Sequence, residues 1–142
     1  MITLICGRCN AGKTTYSMRF DDVIHLDLVA RSGRERYPKI LELVSQRTDD
    51  VVVDGVYEKT EYRTDLINAY KGNGTRCIWL DTPVEIIAER SIPRCARSHV
   101  KPHGFIAIPR HFDEPTLDEG WDEIIIIRGN ENVERYSRQT EN

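Results

Sequence analysis

Long apolar runs are missing from this chain. None of its 142 residues sits in the stretch of roughly 18 to 20 consecutive apolar residues that a membrane-spanning helix needs. The opening MITLICG reads as a short strand entering a glycine loop, not as a secretory leader. Cysteine is scarce: four residues, at 6, 9, 77 and 95, supply no disulfide framework of the kind small secreted domains use. The expectation is a cytoplasmic protein, phage-encoded in one version, with reduced thiols and no membrane partner. There is no internal repeat, no low-complexity tract and no N-K-x-D segment, which removes the base-reading element of a GTPase. An excess of positive charge is also lacking: 20 Lys and Arg stand against 23 Asp and Glu, for a net charge of −3. That balance argues against broad, non-specific duplex binding but leaves room for a local basic groove.

What is present is a rhythm. ITLIC (2–6), VIHLDLV (23–29), DVVVDGV (50–56), RCIWLD (76–81) and EIIIIRG (123–129) read as strands. Between them KTTYSMRF (13–20), PKILELVSQR (38–47), KTEYRTDLINAY (59–70) and PVEIIAERSI (83–92) read as helices, with Pro38 placed at a first helical position. Strand alternating with helix predicts an α/β fold, a single domain over 1–142 built on a parallel five-stranded sheet with helices on both faces. Residues 130–142 are polar and are expected to fray as a C-terminal tail.

The chemistry starts in CGRCNAGKTT, residues 6–15, which carries two overlapping patterns. Cys6 and Cys9 have C-x-x-C spacing, whereas Gly7 to Thr14 spell G-x-x-x-x-G-K-T, the P-loop of a nucleotide-binding fold. Such a loop, between a strand and a helix, turns its backbone N–H groups around a β-phosphate. The ATP-binding set is Gly7, Arg8, Cys9, Asn10, Ala11, Gly12, Lys13, Thr14 and Thr15, with Lys13 reaching the β- and γ-phosphates and the Thr14 hydroxyl on Mg²⁺. Asn10 stands where many such loops carry another glycine, and Asn tolerates the left-handed backbone required there. A zinc site would need a second ligand pair, which Cys77 (mid-strand) and Cys95 do not supply. A redox pair would need to open the helix itself. The phosphate cradle is the stronger reading, a chance match the alternative.

In an open parallel sheet, ligands meet the carboxyl ends of the strands. Asp54 follows three valines, the pattern of an aspartate that orients Mg²⁺; a turn aspartate ahead of Gly55 is the plainer alternative. Asp27 interrupts the apolar run of the second strand, where a carboxylate is costly unless exposed or functional. It suits a general base that takes the proton of an attacking hydroxyl. Asp21 and Asp22 precede that strand, at the wrong end. From Ser91 to Phe112 there is no Asp or Glu, only Arg94, Arg97, Lys101, Arg110 and His99, His103 and His111, while 113–123 hold six carboxylates. Residues 91–112 therefore read as a short Arg-rich lid closing over a triphosphate, or else as a solvated basic loop. Pro102, between His99 and His103, argues against a helical metal site.

Together these residues resemble the P-loop polynucleotide 5′-hydroxyl kinases of phage and of DNA-repair enzymes. The resemblance rests on the cradle, Asp27, VVVDGVYEKTEYR and, most specifically, HFDEPTLDEGWDEI. It implies ATP as donor, Mg²⁺ as cofactor, and a nucleic acid or nucleotide hydroxyl as acceptor. Carried over, Lys13, Asp27 and Arg94 would be catalytic, Arg90 and Arg97 would join Arg94 on the triphosphate, Arg31 and Arg63 would bind the acceptor, and Thr14 and Asp54 would hold the metal. The sequence departs from the pattern at Val56 and Tyr57, where a D-x-T-N segment is usual, and in placing Arg31 four residues after Asp27. Alternatives that keep the chemistry are a kinase of hydroxymethylpyrimidine in DNA and a nucleoside or small-metabolite kinase; a nucleotide-binding module without turnover is a third class. NAGKTT also resembles type II thymidine kinases, whose two zinc-binding cysteine pairs are absent here. Elemental analysis should find no stoichiometric zinc, and Cys9→Ser should keep most of the activity; zinc that disappears in that variant would reinstate the C-x-x-C reading.

Overall fold

The computed structural model describes residues 1–8, 11–83, 85–87, 89, 111–129 and 132–138. Six strands form one sheet: β1 (Ile2–Cys6), β2 (Val23–His25), β3 (Val51–Gly55), β4 (Thr75–Leu80), β5 (Glu123–Arg128) and β6 (Asn132–Ser137). Their order is β2-β3-β1-β4-β5-β6. The first five run parallel, as the sequence predicts, and β6 returns antiparallel along β5.

The sixth strand corrects the expectation of a five-stranded sheet with a frayed tail. Gly129, at φ 69°, turns the chain out of β5. β6 then pairs from Asn132 opposite Arg128 to Ser137 opposite Glu123. It is an edge strand exposed on nearly every residue, so no apolar alternation announces it. The backbone ladder holds it, helped by Arg128, which donates to Glu134 at 2.7 Å.

Strand side chains alternate across the sheet. Ile2, Leu4, Cys6, Val51, Val53, Cys77, Trp79, Ile124 and Ile126 face one way and pack under two helices, α2 (Gly33–Ser45) and α3 (Thr60–Ala69), through Ile40, Val44 and Leu66. Ile5, Val52, Ile78 and Ile125 face the other way, where the five-residue α1 (Lys13–Ser17) and the Tyr16 and Phe20 rings cover them. Helical backbone follows β4 at 85–87 and 89. Cys6 and Cys77 belong to the first layer, their Sγ atoms 3.6 Å apart, and burial pushes the Cys77 thiol well up. Cys6 thus behaves as a small apolar group of the core. Among the described residues no helix is long and apolar enough to cross a membrane.

Two predicted elements change. β2 stops at His25, and Leu26–Leu28 form a 3₁₀ turn that buries Leu26 and leaves Leu28 exposed. Helix α2 begins five residues before Pro38, which lies inside it, not at its first position. The start falls after Ser32, with the Glu35 N–H donating to the Ser32 carbonyl at 3.1 Å. In the second turn Pro38 lacks the N–H that would reach the Arg34 carbonyl, so the helix forgoes one hydrogen bond there.

Beneath α3 lies a fully buried arginine. Arg63 is 0% exposed and donates through Nε to Glu119 Oε1 at 2.8 Å, through Nη1 to the Tyr57 carbonyl at 2.8 Å and through Nη2 to Thr60 Oγ1 at 3.3 Å. A second contact from Nη2 to Glu119 Oε1, at 2.7 Å, completes the ion pair. The Glu119 carboxylate also accepts from the Thr116 N–H at 2.8 Å, as half of a capping box on the 3₁₀ turn Leu117–Glu119. Removing one member of a buried pair strands the other charge. Arg63→Met or Glu119→Gln should therefore lower unfolding free energy by about 3–5 kcal/mol, read from urea titration. A loss below about 1 kcal/mol, the scale of an exposed pair, would show that the pair is not the clamp described here.

Candidate phosphate-binding site

The loop after β1 is held from both sides before any ligand arrives. Gly7 donates its N–H to the Val56 carbonyl, beyond β3, at 3.3 Å, and Thr82, beyond β4, donates its hydroxyl to the Ala11 carbonyl at 2.7 Å. Within the loop the Ala11 N–H reaches the Arg8 carbonyl at 3.0 Å, and Lys13 Nζ donates to that same carbonyl at 2.8 Å. Gly7 is required by close approach: a Cβ there would meet the Leu80 carbonyl oxygen at 2.8 Å and the Ala11 Cβ at 3.2 Å. Gly12 is required by conformation, since φ 103° and ψ 17° at the head of α1 are poorly accessible to other residues. With five residues, α1 contributes little dipole, so a phosphate would depend on the loop amides and Lys13. Thr14 and Thr15 are exposed on the first turn. Arg8 is half-buried, its Cζ 5.7 Å from the centre of the Phe112 ring and its Nε buried with no hydrogen-bond partner among the described residues. Cys9 and Asn10 lie outside the described residues.

Asp54 sits beside this loop on the fourth position of β3, its side chain 8% exposed. Parallel register sets it opposite His25, and the ring Nδ1 lies 2.8 Å from its Oδ2. His25 carries no motif signature, and sequence reading passed over it. Aligning the carboxyl ends of β2 and β3 is the one operation that would have paired it with Asp54.

Asp27 is not a strand residue. It rides on the 3₁₀ turn beyond β2, with its side chain 81% exposed, which removes the desolvation cost a strand position would have imposed. Arg36 Nη1, on the second turn of α2, stands 3.6 Å from its Oδ1, and Arg36 Nε donates to the Ala30 carbonyl at 3.2 Å. Arg31 is exposed just before α2. At the opposite end of the sheet Asp22 pairs with Arg47 at 3.2 Å, so it is remote from the loop, as expected.

Arg63 corrects the acceptor-binding set. Its guanidinium is enclosed and spent on Glu119, Tyr57 and Thr60, with none of it reaching solvent. Three of the six carboxylates at 113–123 are engaged within the fold: Glu119, buried on Arg63; Asp113, partly exposed, accepting from the Thr60 N–H at 3.1 Å; and Asp122, exposed, accepting from the Thr75 N–H at 3.0 Å. The Thr60 N–H, aided by His111, holds the Asp113 carboxyl below its usual range. The proposed triphosphate arginines Arg90, Arg94 and Arg97, and the lid between 91 and 110 with His99 and His103, lie outside the described residues.

No family model matches the sequence, and no curated protein matches it. Among solved structures, the chain is similar to an unliganded sugar kinase from Janibacter sp. HTCC2649, at TM-score 0.57 and 15% identity, over 89% of this chain and 84% of that one. It is similar to a gluconokinase from Sinorhizobium meliloti 1021 at TM-score 0.60 and 15% identity, over 89% and 81%. At that identity the likeness is one of fold: a mostly parallel α/β sheet with helices packed on it. Gly7→Ala should leave the protein folded but displace the loop against Leu80 and Ala11, abolishing ATP binding in a calorimetric titration; unchanged affinity would mean that the loop does not receive the phosphates.

Proposed function

We propose that the protein is an ATP-dependent phosphotransferase that moves the γ-phosphoryl group onto a hydroxyl of a small metabolite. One arrangement supports this reading: a strand-loop-helix segment with Lys13 at the helix head, on a sheet that carries Asp54 near the carboxyl end of β3 and Asp27 on the turn just past β2. Phosphoryl transfer asks for that division, a charged clamp on one side and a proton acceptor on the other. The acceptor is the point at which the polynucleotide kinase resemblance gives way. The similar structures are termed a sugar kinase and a gluconokinase, which favours the small-metabolite alternative over a nucleic acid 5′-hydroxyl.

Lys13 would exchange its bond to the Arg8 carbonyl for phosphate oxygens. The Thr14 hydroxyl and Asp54 fit Mg²⁺ because they are hard oxygen donors and few, leaving the remaining positions to phosphates and water. When bound, that ion would supply charge neutralisation across the phosphate oxygens. Asp27 would accept the proton of the acceptor hydroxyl, its exposure leaving room for a substrate and Arg36 steadying its orientation. Arg31 would contact the acceptor, while Arg90, Arg94 and Arg97 would close on the triphosphate from the lid.

Label transfer from ATP, run over sugars, sugar acids, other small alcohols, nucleosides and 5′-hydroxyl oligonucleotides, tests the reading. Activity on one of the small alcohols is expected; activity confined to oligonucleotides would return the acceptor to nucleic acid. Lys13→Ala should abolish transfer in a folded protein. Asp27→Asn should cut turnover by roughly 10²- to 10⁴-fold with ATP affinity little changed. Normal turnover in folded Lys13→Ala would sink the phosphotransferase assignment.

A further inference from the structure

Asp54 is a nearly buried carboxylate whose one polar side-chain contact among the described residues comes from a histidine. The contact follows from topology: β2 and β3 are parallel, His25 is the register partner of Asp54, and residues paired in this way project to the same face. A carboxylate without its proton only accepts, so Nδ1 carries the hydrogen and donates to Oδ2 across 2.8 Å. The terminal torsion of an aspartate is broad and two-fold, so an unpinned carboxylate exchanges its oxygens freely. One short hydrogen bond to Oδ2 ends that freedom and leaves Oδ1 for another ligand.

We infer that His25 is a positioning residue for Asp54: it fixes the carboxylate so that Oδ1 is presented to the Mg²⁺ of the bound nucleotide. This rests on the phosphotransferase reading above and goes beyond it by naming what orients the metal-binding carboxylate. The ring is 31% exposed, more than a core clasp between two strands would be. It is also the last residue of β2, directly before the turn that carries Asp27, so one short segment supports both carboxylates. Groups that orient a metal ligand typically alter metal affinity by 10- to 100-fold when removed.

Calorimetric titration of the protein with ATP, in EDTA and in Mg²⁺, reads the effect without turnover. Wild type should bind ATP more tightly with Mg²⁺ than without. His25→Ala should lose about 10- to 100-fold of that Mg²⁺-dependent gain, with metal-free affinity unchanged. His25→Asn, whose amide sits where Nδ1 does and which has no counterpart of Nε2, should restore most of the gain. His25→Gln sets its amide one carbon further out and should not; should the alanine variant fail to fold, the Asn and Gln pair carries the comparison. A full Mg²⁺ gain in His25→Ala, equal losses with and without Mg²⁺, or an Asn variant as impaired as Gln would each overturn the assignment. Failure of the underlying reading looks different, because wild type would then gain nothing from Mg²⁺ with no substitution made, and both conclusions would fall.

Discussion

The ion pair between Arg63 and Glu119 is the constraint on which the site depends. A guanidinium at zero exposure is tolerable only when its donors are satisfied, and here they bind the 3₁₀ turn at Leu117–Glu119, the amino end of α3 and the backbone beyond β3. The last of these matters most. Tyr57 holds φ 46°, an uncommon and costly conformation for a bulky residue, with its ring 1% exposed. Arg63 binds its carbonyl, while the carbonyl of its neighbour Val56 receives the Gly7 N–H. The first residue of the loop after β1 therefore hangs from a segment that the buried arginine keeps in place.

Phe112 extends that support. Its ring stacks on Trp79 at 5.7 Å with planes 4° apart, and it has the Arg8 and Arg63 guanidiniums at 5.7 and 5.8 Å. Arg8 belongs to the loop, Trp79 to β4 and Arg63 to α3, so one aromatic side chain ties the loop to a strand and a helix. Among the described residues the Arg8 Nε in this packing has no hydrogen-bond partner.

Sequence pattern revealed what burial dictates. β1, β3, β4 and β5 are apolar runs because both of their faces are covered, and Asp54 stood out because it ends such a run. β6 left no trace because neither of its faces is covered and its stability resides in backbone pairing, which no side chain encodes. VIHLDLV read as one strand because apolar residues also fill a 3₁₀ turn when one of them, Leu26, reaches the core. His25 was passed over and Arg63 was assigned to the acceptor for a common reason. Each has its partner far away in sequence, Asp54 for one and Glu119, 56 residues on, for the other, and local periodicity carries no information about such pairs.

β1 lies in the middle of the sheet although it comes first in the chain, and that placement governs when the cradle exists. Ile2 pairs with Val51 on one side and Thr75 on the other, and the loop's two outer anchors are Val56 and Thr82. During synthesis the glycine loop emerges early yet has no frame. It acquires one only after β4 and Thr82 have left the ribosome, and the Tyr57 support follows once Glu119 has been added. The nascent chain therefore displays the glycine loop long before that loop has a defined shape, and its form is fixed by segments made tens of residues later.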